Sequence, residues 1–256
     1  MSNYIYRLTV LAIGFLLTIV GIEGDNPALS GFGSFVLWMS ILVTLINLLK
    51  GPIQVLSKNI RISTVGVFTS YVVIHFLVYS IAIEKLLTEI YGQLFSISSP
   101  FLTISITPFS GDVALSLVYN LIFNPSVVMG FPPNFYIELS MYAIVMGIVI
   151  AILVTATIVK VMELFGRFRK MRTILLAPLL GVIGGGSCCI SIPLILSSAI
   201  PAANIILVSP VGGTSLLIAY VALPPLTALG LGYHFRVLTP RPPRSMRLRD
   251  LDPRRT

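Results

Sequence analysis

Leu139-Ser140-Met141-Tyr142-Ala143-Ile144-Val145-Met146-Gly147-Ile148-Val149-Ile150-Ala151-Ile152-Leu153-Val154-Thr155-Ala156-Thr157-Ile158-Val159 contains no Asp, Glu, Lys or Arg and is closed by Lys160. A helix needs about 20 apolar residues to cross the hydrocarbon core of a bilayer, and this stretch has that length. Five others match or approach it, at 5–22, 28–49, 62–83, 174–200 and 205–229. Arg7 is the one ionised side chain inside any of them. It lies at the start of the first, where Tyr4, Ile5 and Tyr6 extend the apolar run around a snorkelling guanidinium. The pattern predicts an all-α polytopic bundle of six transmembrane helices.

Composition points the same way. Hydrophobic residues make up 56% of the chain and charged residues only 10%, with a mean hydropathy of +0.97. A soluble domain carries roughly a quarter of its residues as charges, so lipid is the expected solvent and the bilayer the first partner. The 17 prolines and 20 glycines are no objection, since membrane helices carry more of both than soluble ones. The first span is read as retained, because Gly24-Asp25-Asn26-Pro27 offers no small-x-small cleavage site.

Charge placement sets the expected orientation. Arg7 precedes the first span, while Lys50, Lys58 and Arg61 separate the second and third. Lys160, Arg167, Arg169, Lys170 and Arg172 separate the fourth and fifth, and seven arginines from Arg236 onward follow the sixth. Of the 17 basic residues, all but Lys85 thus fall on one side. Glu23, Asp25, Glu84, Glu89, Asp112 and Glu138 fall on the other. Basic loops stay in the cytoplasm, so both termini are predicted inside and residues 84–138 outside, in the plasma membrane. The net charge of +8 therefore reads as a topology signal, with no nucleic-acid partner implied.

The domain reading is one transmembrane unit over 1–235 and a basic, Pro/Arg-rich cytoplasmic tail over 236–256. The tail has little apolar surface to bury and is expected to lie against anionic lipid. Within the outer segment, Leu86, Leu87, Ile90, Tyr91, Leu94 and Phe95 recur at helical spacing and suggest a surface amphipathic helix. Val113–Phe123 is apolar but too short to span, and Asn124-Pro125 closes it, which suggests a re-entrant piece.

Chemistry concentrates in the fifth span, at Gly184-Gly185-Gly186-Ser187-Cys188-Cys189-Ile190-Ser191-Ile192-Pro193. Each glycine weakens a helix by roughly 1 kcal/mol relative to alanine. Pro193 cannot donate to the carbonyl of Cys189. In lipid a freed carbonyl needs a donor, an ion or water, so a kinked or broken span is expected here. The sixth span repeats part of the pattern in Gly212-Gly213-Thr214-Ser215-Leu216-Leu217-Ile218, between Pro210 and Pro224-Pro225. Small residues at these places serve close helix packing or frame a binding site between broken helices.

Adjacent thiols favour soft ions such as Cu(I) or Zn(II). The vicinal Cys188-Cys189 pair in an apolar span resembles, over those few residues, mercuric-ion transport membrane proteins. The proline spacing differs, and no other part of the chain extends the resemblance. His75, near the middle of the third span, is the remaining ionisable candidate, so Cys188, Cys189 and His75 form the expected metal-ligand set. The alternatives are ordinary ones: a small buried thiol pair, and a neutral histidine bonded to a neighbour. The residues specify no cofactor. The chain has no HExxH, GxSxG or Walker loop, and no span holds a carboxylate, which leaves an enzyme as the third reading. The first is a permease for a small solute or soft metal ion. The second is a non-catalytic subunit or assembly factor with protein partners in the membrane.

Overall fold

A computed structural model describes residues 2–78, 97–106, 113–132, 135–165 and 210–238. Helix α1 (Ser2–Glu23) folds back against α2 (Pro27–Leu48). The turn is fixed locally. Asp25 takes the left-handed backbone conformation at φ 48°, the Asn26 N–H donates to Gly21 O, and Asn26 Oδ1 accepts from Leu29 N–H at 3.1 Å. Asn at the N-cap followed by Pro at the first helical position is a strong start signal, because that proline lacks only a donor the helix would not have used.

The two helices approach backbone to backbone. A Cβ placed on Gly33 would sit 2.5 Å from Thr18 N, and one on Gly14 would sit 2.8 Å from Leu37 N. A Cβ on Gly21 would overlap the backbone of Ser30. Thr18 is fully buried in this seam, where its hydroxyl donates to Gly14 O at 2.9 Å. Outside the seam α1 presents Ile5, Leu8, Ile13, Leu16 and Val20 outward, as a lipid-facing helix does.

A short helix α3 (Lys50–Lys58) follows, with Pro52 in its first turn. Then comes α4 (Ile62–Val73), which passes directly into a π-helical turn (Ile74–Val78). Strand β1 (Phe101–Ser105), helix α5 (Val113–Phe123) and strands β2 (Ser126–Phe131) and β3 (Phe135–Ser140) precede the long helix α6 (Met141–Phe165). The last described element is α7 (Pro210–Leu238).

Helix α6 is the axis of the bundle. Its most apolar window is 72% buried, against 17% for that of α1. Val149, Ile150, Leu153 and Val154 pack with Tyr71 of α4 and Leu231 of α7, while Val145 and Tyr142 pack with Leu37 and Trp38 of α2. These contacts give the helix directions. Trp38 and Val221 lie beside Tyr142, whereas Leu49 and Leu231 lie beside the Val149–Val154 cluster, so α2, α6 and α7 run the same way. Phe68 packs on that same cluster and His75 farther back near Gly147, so α4 runs the opposite way, as α1 does to α2. Phe165 and Pro210 therefore lie at opposite ends of the bundle.

Prolines 224 and 225 both lie inside α7. Pro225 has no N–H to offer Val221 O, and the Tyr142 hydroxyl supplies the missing donor at 2.8 Å. This is how a proline-interrupted helix stays satisfied in an apolar surrounding.

The described residues are mostly helical, and three helices are long and apolar enough to cross a membrane: Ile5–Glu23, Pro27–Leu48 and Met141–Met162. The all-α expectation needs correction. Strands β1, β2 and β3 form an antiparallel sheet in that order. Its sequences are rich in Phe, Val and Ile, and Pro132-Pro133-Asn134 separates β2 from β3. Residues 135–140 are therefore strand, and the helix expected from 139 begins at Met141, with Ser140 Oγ accepting from Ala143 N–H at 3.2 Å. The 113–123 run is the short helix α5, packed on α1, α2 and α6. The last helix extends to Leu238, so Arg236 is helical. The amphipathic helix expected over 86–95 and the span expected over 174–200 fall outside the described residues.

Candidate functional site

His75 is the expected site residue whose surroundings are described. It is 4% exposed and sits on the π-helical turn, where one extra residue per turn displaces the side chains from α-helical register. Its ring stacks on Tyr71 with centroids 5.7 Å apart, and Phe76 meets it edge-on at 5.0 Å. Gly147 of α6 allows this approach. A Cβ there would come within 2.5 Å of Phe76 Cζ and 3.2 Å of His75 Cδ2. The imidazole is thus held between two aromatic rings against the central helix. Such a group donates from one nitrogen and accepts, or binds a metal, through the other.

Cys188, Cys189, Gly184, Gly185, Gly186, Ser187 and Pro193 lie outside the described residues. Gly212, Gly213 and Ser215 lie in the first turns of α7. Among the described residues no three His, Cys, Asp or Glu side chains gather as metal ligands. His234 belongs to the far end of α7, next to Phe235, whose ring lies by Gly51 of α3.

A second cluster was not anticipated from the sequence. Ser30 and Ser34 on α2 face Asn120 and Asn124 at the C-terminal end of α5, and all four are buried. Asn120 Nδ2 donates to Ser30 Oγ at 2.9 Å, and Ser30 Oγ donates to Pro27 O at 3.0 Å. Ser34 Oγ donates to Asn124 O at 2.7 Å, and Trp38 Nε1 donates to Leu121 O at 2.6 Å. Side chains of α2 thereby serve the carbonyls that the end of α5 leaves open. Ser126 and Ser140 continue the polar patch into the sheet, where they stand opposite each other, with Ser105 in the same row. Among the described residues Asn120 Oδ1 has no hydrogen-bond partner, although Asn120 is 3% exposed. Leaving a buried acceptor unmet costs about 1–3 kcal/mol. Part of the signal was present in the sequence: Ser30 and Ser34 are an i,i+4 pair on one face of α2, and Asn120 and Asn124 stand at and just past the last turn of α5.

No family model matches the chain, and neither curated proteins nor solved structures give a match.

Proposed function

We propose that this chain is a six-span plasma-membrane permease for a small solute or soft metal ion, with both termini cytoplasmic. The observation that carries the reading is His75, buried at mid-span on a π-helical turn and pressed onto the central helix at Gly147. An ionisable group at that depth is costly and is a functional candidate by default, and π turns recur at functional sites. The helix directions support six spans. Parallel α6 and α7 put Phe165 and Pro210 at opposite ends of the bundle, as a fifth span at 174–200 requires. Cys188 and Cys189, with the glycines and Pro193 around them, complete the site in this reading.

The test is uptake into proteoliposomes loaded with a zinc- or copper-responsive dye. Wild-type vesicles are expected to fill with Zn(II) or Cu(I) faster than empty ones. His75→Leu, and separately the Cys188→Ser, Cys189→Ser pair, are expected to slow filling at least about tenfold without lowering the melting temperature, since even the outer partners of a metal ligand govern affinity over that range. Wild-type uptake equal to that of empty vesicles would remove the metal substrate, and equal uptake in all variants would remove these residues from the path.

The alternative, a non-catalytic subunit or assembly factor, draws on the shortage of ionised groups inside the apolar helices. A stoichiometric partner that stays bound through purification in mild detergent would favour it.

A further inference from the structure

We infer that the buried end of helix α5 holds a monovalent alkali cation, with Asn120 Oδ1 as its central ligand. Three observations converge there. First, α5 is a half-length helix, Val113–Phe123, whose C-terminal end is buried against α2. A helix C-terminus carries partial negative charge, and such ends coordinate small cations in membrane proteins. Second, the side-chain donors of α2 point elsewhere. Ser30 Oγ gives its proton to Pro27 O, Ser34 Oγ to Asn124 O, Trp38 Nε1 to Leu121 O, and Asn120 Nδ2 donates to Ser30 Oγ. Third, Asn120 Oδ1 is left as a buried acceptor with no partner among the described residues. What satisfies it must bring positive charge or a proton, and must be small.

The chemistry of the surrounding atoms selects the ion. Ser30 Oγ lies 2.9 Å from the Asn120 amide nitrogen, and Ser34 Oγ lies 3.4 Å from the Asn120 backbone carbonyl oxygen, so the polar atoms around this residue are neutral hydroxyl, amide and carbonyl groups. No carboxylate takes part in these hydrogen bonds. Calcium draws on several carboxylates and magnesium keeps its own waters, whereas neutral oxygens suffice for an ion of single charge. The site stands apart from His75, and the inference does not rest on transport of a metal or solute.

Thermal unfolding of the purified protein in mild detergent tests it, at constant ionic strength in sodium, potassium or N-methylglucamine chloride. Sodium or potassium is expected to raise the wild-type melting temperature saturably, by about 5 °C over N-methylglucamine. Asn120→Leu is expected to lose that increment. Asn120→Asp, which keeps the oxygen and adds charge, is expected to lower the half-saturating concentration at least tenfold. Should Asn120→Leu fail to fold, the wild-type titration and Asn120→Asp decide alone. Identical wild-type melting in all three salts would mean a trapped water only and overturn the inference, as would an unchanged half-saturating concentration in Asn120→Asp.

Discussion

Gly33→Leu is expected to eliminate folded protein from detergent extracts, with the remainder running as aggregate in size-exclusion chromatography. The cause is geometric. A Cβ at Gly33 meets Thr18 N at 2.5 Å, Thr18 Oγ1 at 2.7 Å and Gly14 O at 2.8 Å. Two of these atoms are backbone, so relief requires the helices to separate along their whole seam rather than one side chain to turn. Even Gly33→Ala should cost about 1–3 kcal/mol, the usual range for overpacking, and leucine adds three more carbons to the same gap. Phe35, on the same helix, is 40% exposed, and Phe35→Leu should leave the elution profile unchanged. A monodisperse, normally melting Gly33→Leu protein would show that α1 and α2 do not pack as described.

Trp38→Ala should be nearly as damaging, by about 3–5 kcal/mol in reversible unfolding, as for large aromatic truncations in well-packed interiors. The indole packs edge-on against Tyr142 with centroids 5.2 Å apart, and it belongs to the cluster of Leu37, Ile122 and Val145. Its N–H also serves Leu121 O at 2.6 Å. Trp38→Phe separates the two contributions: it keeps most of the packing, leaves the carbonyl without that donor, and should cost about 1–3 kcal/mol. Equal losses for Phe and Ala would assign the whole effect to the hydrogen bond. Tyr142 makes the position consequential beyond α2, because its hydroxyl serves the carbonyl that Pro225 leaves open in α7.

These two seams show what a linear reading captures. Apolar length locates α1, α2 and the body of α6, because in lipid the requirement on a span is nearly one-dimensional. The apolar runs expected from 28 and from 62 begin within one residue of α2 at Pro27 and α4 at Ile62. His75 was placed at mid-span and is buried. Nothing local distinguishes its π turn from α-helix, because the extra residue is accommodated by Gly147 on a helix distant in sequence. The sheet is less legible because the outer segment also carries helical spacing, although Pro132-Pro133-Asn134 between two β-branched and aromatic runs marks a hairpin. The Ser30–Ser34–Asn120–Asn124 cluster escaped for a different reason. Each pair is unremarkable alone, and its meaning arises when α5 docks on α2.

The proposed arrangement is six spans with both ends of the chain inside. Impermeant maleimide labelling of intact cells tests this with single cysteines at Ser98, which is exposed just before β1, and Ser245, in a background lacking Cys188 and Cys189. Ser98→Cys is expected to label in intact cells, and Ser245→Cys only after permeabilisation. The reverse pattern would invert the orientation, and labelling of both in intact cells would contradict the arrangement itself.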